Sequence, residues 1–115
     1  MDYEILAIES SCDETAVAYL KGDKVEQSKV FSQIDLHEVF GGVLPEAAAR
    51  RHLEVLPHLL RGISKPDLVA VTAGPGLLPA LLTGVSVALG LSRGWQIPLM
   101  GVNHVVAHVA AAALE

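Results

Sequence analysis

The chain has 115 residues, 51% of them hydrophobic and 18% charged, a balance that excludes a disordered segment and fits one domain with a modest core. A formal net charge of −5, with eight Lys and Arg in total, excludes gripping nucleic acid by this chain's own charge, and Arg50-Arg51 is its sole adjacent basic pair. A single cysteine, Cys12, excludes an internal disulfide and fits a reducing compartment.

The amino-terminal run MDYEILAIES is acidic and lacks the basic start of a secretory signal. The longest weakly polar stretch, Leu77 to Leu91, is interrupted by Pro79, Thr83, Gly84, Ser86 and Gly90, too short and too broken for a bilayer. The expectation is a soluble, cytoplasmic protein.

Tyr3 to Glu9 is a compact apolar run ahead of the polar SSCDET, which predicts a buried strand. Ala16 to Leu20 predicts a second strand, closed by Lys21-Gly22-Asp23-Lys24, and Val25 to Ile34 a third of alternating character. Short polar turns between the three imply an antiparallel meander. After Gly41-Gly42 and Pro45, apolar residues at three- and four-residue spacing (Ala48, Ala49, His52, Leu53, Leu56, Leu59 and Leu60) predict a helix from about Glu46 to Arg61. Pro45 suits a first helical turn, and Pro57 is expected to kink the helix because it lacks an N–H.

Leu68 to Ala73 is apolar throughout and predicts a central strand. Gly74-Pro75-Gly76 then turns into a helix from Leu77 to Arg93, whose start Pro79 fixes near Leu77 or Leu78. Ile97 to Val102 predicts a fifth strand, and Asn103 an N-cap for a last helix, His104 to Leu114. The order β-β-β-α-β-α-β-α, with right-handed crossovers, predicts an α/β fold: a mixed five-stranded sheet flanked by helices, of the RNase H-like kind, in one domain over residues 1–115. That unit is also the repeating half of the actin-like ATPase (ASKHA) architecture.

Four stretches are candidates for chemistry. Glu9 to Thr15 is a turn of small hydroxyl residues. Its backbone N–H groups and the Ser10, Ser11 and Cys12 side chains could cradle a phosphate, while Asp13 and Glu14 could hold magnesium through water or orient a nucleophile. On composition alone an ordinary polar turn fits better, since the glycines of a P-loop are absent. Gly74 and Gly76 lie between a strand's carboxyl end and a helix start, where α/β proteins bind anions, although a ligand-free tight turn has the same composition. His104 and His108, one helical turn apart, could supply two metal ligands, a third coming from elsewhere, yet five histidines in so short a chain make chance pairing common. The stretch His37 to Glu46, with Gly41, Gly42 and Pro45, reads as a connection and partner surface.

Together ILAIESSCDETAVA, HEVFGGVLPEAAARRH, VTAGPGLLPALLTG and PLMGVNHVVAH, in that order, resemble the amino-terminal part of the TsaD (Gcp) family over nearly the whole chain. The related TsaB family shares the fold and a GPG turn but lacks the histidine pair. The resemblance implies a two-lobed actin-like ATPase. It would be an acyltransferase moving threonylcarbamoyl from its adenylate to the exocyclic amine of the tRNA adenosine beside the anticodon, in ANN-reading tRNAs.

The resemblance further implies one divalent metal, iron or zinc, on His104 and His108, with an aspartate of the second lobe as third ligand. ATP or threonylcarbamoyl-adenylate would bind with Ser10 to Glu14 on the phosphate side of the cleft. A TsaB-like paralogue would dock on the first lobe, and tRNA would be bound by the whole complex. The family's chains run to about three times this length, and Pro79 stands where they usually have glycine. The isolated chain is therefore expected to be inactive and to bind metal weakly. The alternative is a non-catalytic interaction or homodimerisation module of the same fold. The metalloprotease suggested by the family's older name is excluded, since no Glu follows His104 to make H-E-x-x-H.

Overall fold

The computed structural model describes residues 3–10, 14–32, 45–75 and 78–103. Five strands and two helices follow in the order β1 (Glu4–Glu9), β2 (Glu14–Lys21), β3 (Lys24–Ser32), α1 (Pro45–Leu59), β4 (Leu68–Gly74), α2 (Leu78–Trp95) and β5 (Leu99–Asn103). The expected helix after Asn103 lies outside the described residues.

The strands form one mixed sheet in the order β3-β2-β1-β4-β5. β1 and β2 are antiparallel, as are β2 and β3, which is the expected meander. β4 joins β1 in parallel, and β5 joins β4 in parallel, because a helix carries the chain back each time. This is the RNase H-like arrangement. The mid-sheet position belongs to β1, and β4 is interior beside it rather than central.

Strand alternation sorts the sheet's two faces. Leu6, Ile8, Val17, Tyr19, Val69 and Val71 point to one side, where they meet Leu56 of α1 and Ala88 of α2 to form the core. Leu56 is fully buried, and its truncation to Ala would cost about 2–5 kcal/mol. The opposite face carries Ala7, Ala16, Ala18 and Ala70, with Glu9, Ser28, Thr72 and Val102, around an open cavity of about 230 Å³.

Several boundaries differ from the sequence-based expectation for local reasons. Glu14 and Thr15 belong to β2, paired with Ser32 and Phe31, rather than to the preceding turn. α2 starts at Leu78, so Pro79 sits in the first turn as its missing N–H requires. Pro57 falls in the last turn of α1, where the helix forgoes a single backbone bond and ends two residues later. Leu53, counted in the apolar periodicity, is 60% exposed.

Both helix ends are closed by specific bonds. Gly62, at φ +81°, follows α1, and Lys29 of β3 donates to the carbonyls of Leu59 and Arg61 at 3.2 and 3.4 Å, a cation at the negative end of the helix. α2 ends in a Schellman motif: Ile97 N–H donates to Ser92 O and Gln96 N–H to Arg93 O, with Gln96 at φ +58°. This cap delays β5 to Leu99. At the same end of the sheet, Asp67 accepts from the backbone of Glu4 at 2.7 Å and its own N–H donates to Glu4 O at 2.8 Å.

Candidate functional site

In a sheet with parallel strands, chain leaving the carboxyl ends is free to build a site, because helices and turns depart from there. β1, β4 and β5 run the same way, with Ile8 beside Val71, Thr72 beside Val102 and Gly74 beside Asn103. They therefore finish at one edge. The segment after β1 (Ser10 onward), the segment after β4 (Gly74 onward) and the segment after β5 (His104 onward) all start from it.

Ser10 is fully buried, and its hydroxyl donates to the carbonyl of Ala80, in the first turn of α2, at 2.9 Å. Gly84, one turn further along, leaves the room this requires: a Cβ there would collide with the Ser10 hydroxyl. Thr72 is 5% exposed, and its hydroxyl donates to the Glu9 carboxylate across the β1–β4 junction. Thr15 and His52 are both fully buried, with Thr15 Oγ1 and His52 Nδ1 2.5 Å apart, linking the start of β2 to α1. Residues on both sides of the 11–13 segment are thus tied to three different elements.

Of the sequence-derived candidates, Ser10, Glu14 and Gly74 fall within the described residues. Ser10 faces α2, so its hydroxyl ties the end of β1 to that helix; Glu14 is exposed at the start of β2. Gly74 has φ +150°, a conformation that L side chains rarely adopt, and the Gly74–Pro75 peptide is cis. Ser11, Cys12, Asp13, Gly76, His104 and His108 lie outside the described residues, as does the expected His37–Leu44 partner loop. Among the described residues no group of three or more His, Cys, Asp or Glu could hold a metal ion.

Glu9–Thr72, Thr15–His52 and Gly84 were not singled out from the sequence. His52 and Gly84 sit inside helical patterns where periodicity signals burial and nothing more. Only the pairing register brings Thr72 beside Glu9.

Charge of both signs collects at the opposite edge, where β1, β4 and β5 begin: Lys21, Lys24, Arg61 and Lys65 stand with Glu4, Asp23 and Asp67, while Glu9 and Glu14 belong to the carboxyl edge and Arg50 to the first half of α1. Tyr19 also belongs to the opposite edge: burial first, then the neighbouring Glu4 and Asp67, raises its phenol above 10.0. No described helix is long and apolar enough to cross a membrane.

Residues 24–115 match the family model described as TsaD, tRNA N6-adenosine threonylcarbamoyltransferase. The chain belongs to the TsaD family. It is 51% identical, over 93% of its length, to the tRNA N6-adenosine threonylcarbamoyltransferase of Thermosipho melanesiensis, of which it covers 35%. To the protein of the same name from Carboxydothermus hydrogenoformans it is 52% identical over 96% of its length, again covering 35%. This TsaD-family chain thus spans about a third of the length of these relatives.

Among solved structures, YeaZ from Pseudomonas aeruginosa superposes with a TM-score of 0.63 at 25% identity, over 88% of this chain and 44% of that one. RuvC of T. thermophilus, solved with a Holliday junction substrate, superposes at 0.53 with 13% identity over 90% of this chain and 66% of that one, a likeness of fold. Both fit the RNase H-like sheet of the TsaD-family chain.

Proposed function

We propose that the protein carrying this chain is a tRNA N6-adenosine threonylcarbamoyltransferase, with the chain as the sheet-bearing part of its amino-terminal lobe. The reaction forms a bond from the adenosine exocyclic nitrogen to the carbamoyl carbon and breaks the bond from that carbon to the bridging oxygen of the adenylate phosphate. AMP leaves, and the nitrogen loses a proton. The observation that carries this reading is the departure of the Ser10, Gly74 and His104 segments from one edge of the sheet.

In this reading Asp13 and Glu14 orient the attacking amine or accept its proton, as carboxylates at a site edge can. Ser10, Ser11, Cys12, Gly74 and Gly76 are assigned to the phosphate side of ATP or threonylcarbamoyl-adenylate, as strand ends that lead into helices suit anions, and the Ser10 hydroxyl is held on Ala80. Two imidazoles from His104 and His108 suit iron or zinc, and such an ion would supply Lewis-acid charge to an oxygen of the substrate. With eight Lys and Arg against a formal net charge of −5, tRNA is bound by the full assembly in the cytoplasm rather than by this chain.

The chain by itself is inactive, because one lobe neither encloses two substrates nor excludes water. Mass spectrometry of the nucleosides tests both statements. Full-length protein given threonylcarbamoyl-adenylate, its partner proteins and an ANN-reading tRNA should yield threonylcarbamoyladenosine, and the 115-residue chain none. No product from the full-length protein contradicts the reading.

A second reading, docking of a TsaB-like paralogue, rests on exposed leucines of the helical layer. Leu78, Leu82 and Leu89 of α2 and Leu53 of α1 are exposed, an apolar set that suits a partner helix. Leu78→Lys and Leu82→Lys together should abolish co-elution with such a paralogue while leaving the fold intact. Undiminished co-elution counts against this surface.

A further inference from the structure

β2 reaches beyond the end of β1. The β1–β2 ladder ends at Glu9 beside Ala16, so Glu14 and Thr15 overhang it and pair only with Ser32 and Phe31 of the edge strand β3. An overhanging pair held by an edge strand alone is a weak base for a carboxylate, that of Glu14, which must be held in place. The helix layer provides the missing anchor. His52 projects from α1 beside Val55 and Leu56, completely buried, and its Nδ1 lies 2.5 Å from Thr15 Oγ1.

A leucine would complete that apolar face without any polar group to desolvate, whereas a buried imidazole is costly unless it is hydrogen-bonded. The histidine gives the position a directional link to the residue next to Glu14. We propose that His52 is a positioning residue, acting through Thr15 to fix Glu14 at the start of β2 for the transferase reaction. This deepens the transferase reading and rests on it. His52 touches no substrate in this account.

The test uses the full-length protein with its partners. Thr15→Val keeps the shape and removes the hydroxyl, and Thr15→Ser keeps the hydroxyl. Thr15→Val and His52→Leu should lower kcat about tenfold or more, as displaced catalytic groups do. KM for tRNA should stay within about twofold, and Thr15→Ser should restore kcat to a similar margin. A folded Thr15→Val enzyme with unchanged kcat overturns the proposal, as does Thr15→Ser falling as low as Val. If His52→Leu fails to fold, the near-isosteric Thr15 pair still decides.

A second readout separates failure of this proposal from failure of the transferase reading. The amide resonance of Glu14 in the full-length protein should move in Thr15→Val and return in Thr15→Ser. An unmoved resonance overturns the positioning role whatever the activity. An inactive unmodified protein with a moved and restored resonance contradicts the transferase reading alone.

Discussion

Ser10 at the end of β1 and Gly84 in the middle of α2 form a matched pair: the serine hydroxyl fills the space where any larger residue at 84 would place its Cβ. The same hydroxyl donates to Ala80 O, so strand end and helix are locked by one contact and one bond. Gly84→Ala should therefore cost about 1–3 kcal/mol, the usual penalty for overpacking a tight interior. Ser10→Ala loses its hydrogen bond, and the double variant should be less destabilised than the sum of the two, because the colliding atom has gone. Denaturant unfolding of the four proteins measures the coupling. Strict additivity would mean that the two residues do not share this space.

The elements that could be read from the sequence are those whose signal is local. The β2–β3 turn, the proline-fixed start of α2 and the apolar β4 each follow from neighbouring residues. The Thr72–Glu9 bond and the Ser10–Gly84 fit depend on parallel pairing between segments more than sixty residues apart, which no window of sequence contains. The polarity of Glu14 continues that of Asp13 and predicts a turn residue, yet pairing with β3 draws it into the strand. Of the site, the Ser10, Gly74 and His104 stretches were visible as motifs. Their common edge became visible only through strand order.

Gln96 occupies a left-handed position at the C′ of α2 with φ +58°. Gln96→Gly should raise stability by about 1 kcal/mol, since glycine adopts this conformation without steric cost. Thermal unfolding checks this. A lower melting temperature would show that the glutamine side chain contributes more than its backbone costs.

Asp67 ties the start of β1 to the start of β4 through two bonds with Glu4. Asp67→Ala removes the carboxylate bond and should cost about 1–2 kcal/mol, as for a hydrogen bond to a charged group near the surface. Because this end of the sheet is remote from the carboxyl edge, transfer activity of the full-length protein should be retained at temperatures where the variant is folded. A variant that is stable yet inactive would contradict the placement of the site.

Tyr19 gives a pH signature. Burial, then Glu4 and Asp67, raises its folded value above 10.0. The folded state therefore holds the phenol proton more tightly than the unfolded chain does. The resulting stabilisation is fully present below pH 10 and is lost as pH rises through the folded value. In unfolding measurements above pH 10, the wild type should lose stability more steeply than Tyr19→Phe. Parallel curves for the two proteins would refute the assignment.

With the carboxyl edge of β1, β4 and β5 as the transfer site, kcat for threonylcarbamoyl transfer to tRNA should depend on its side chains. The full-length protein carrying Asp13→Asn, Glu14→Gln or His104→Ala should fold, with kcat reduced about a hundredfold or more, the scale of losing an orienting or charge-stabilising group. Wild-type kcat in all three variants would place the chemistry elsewhere.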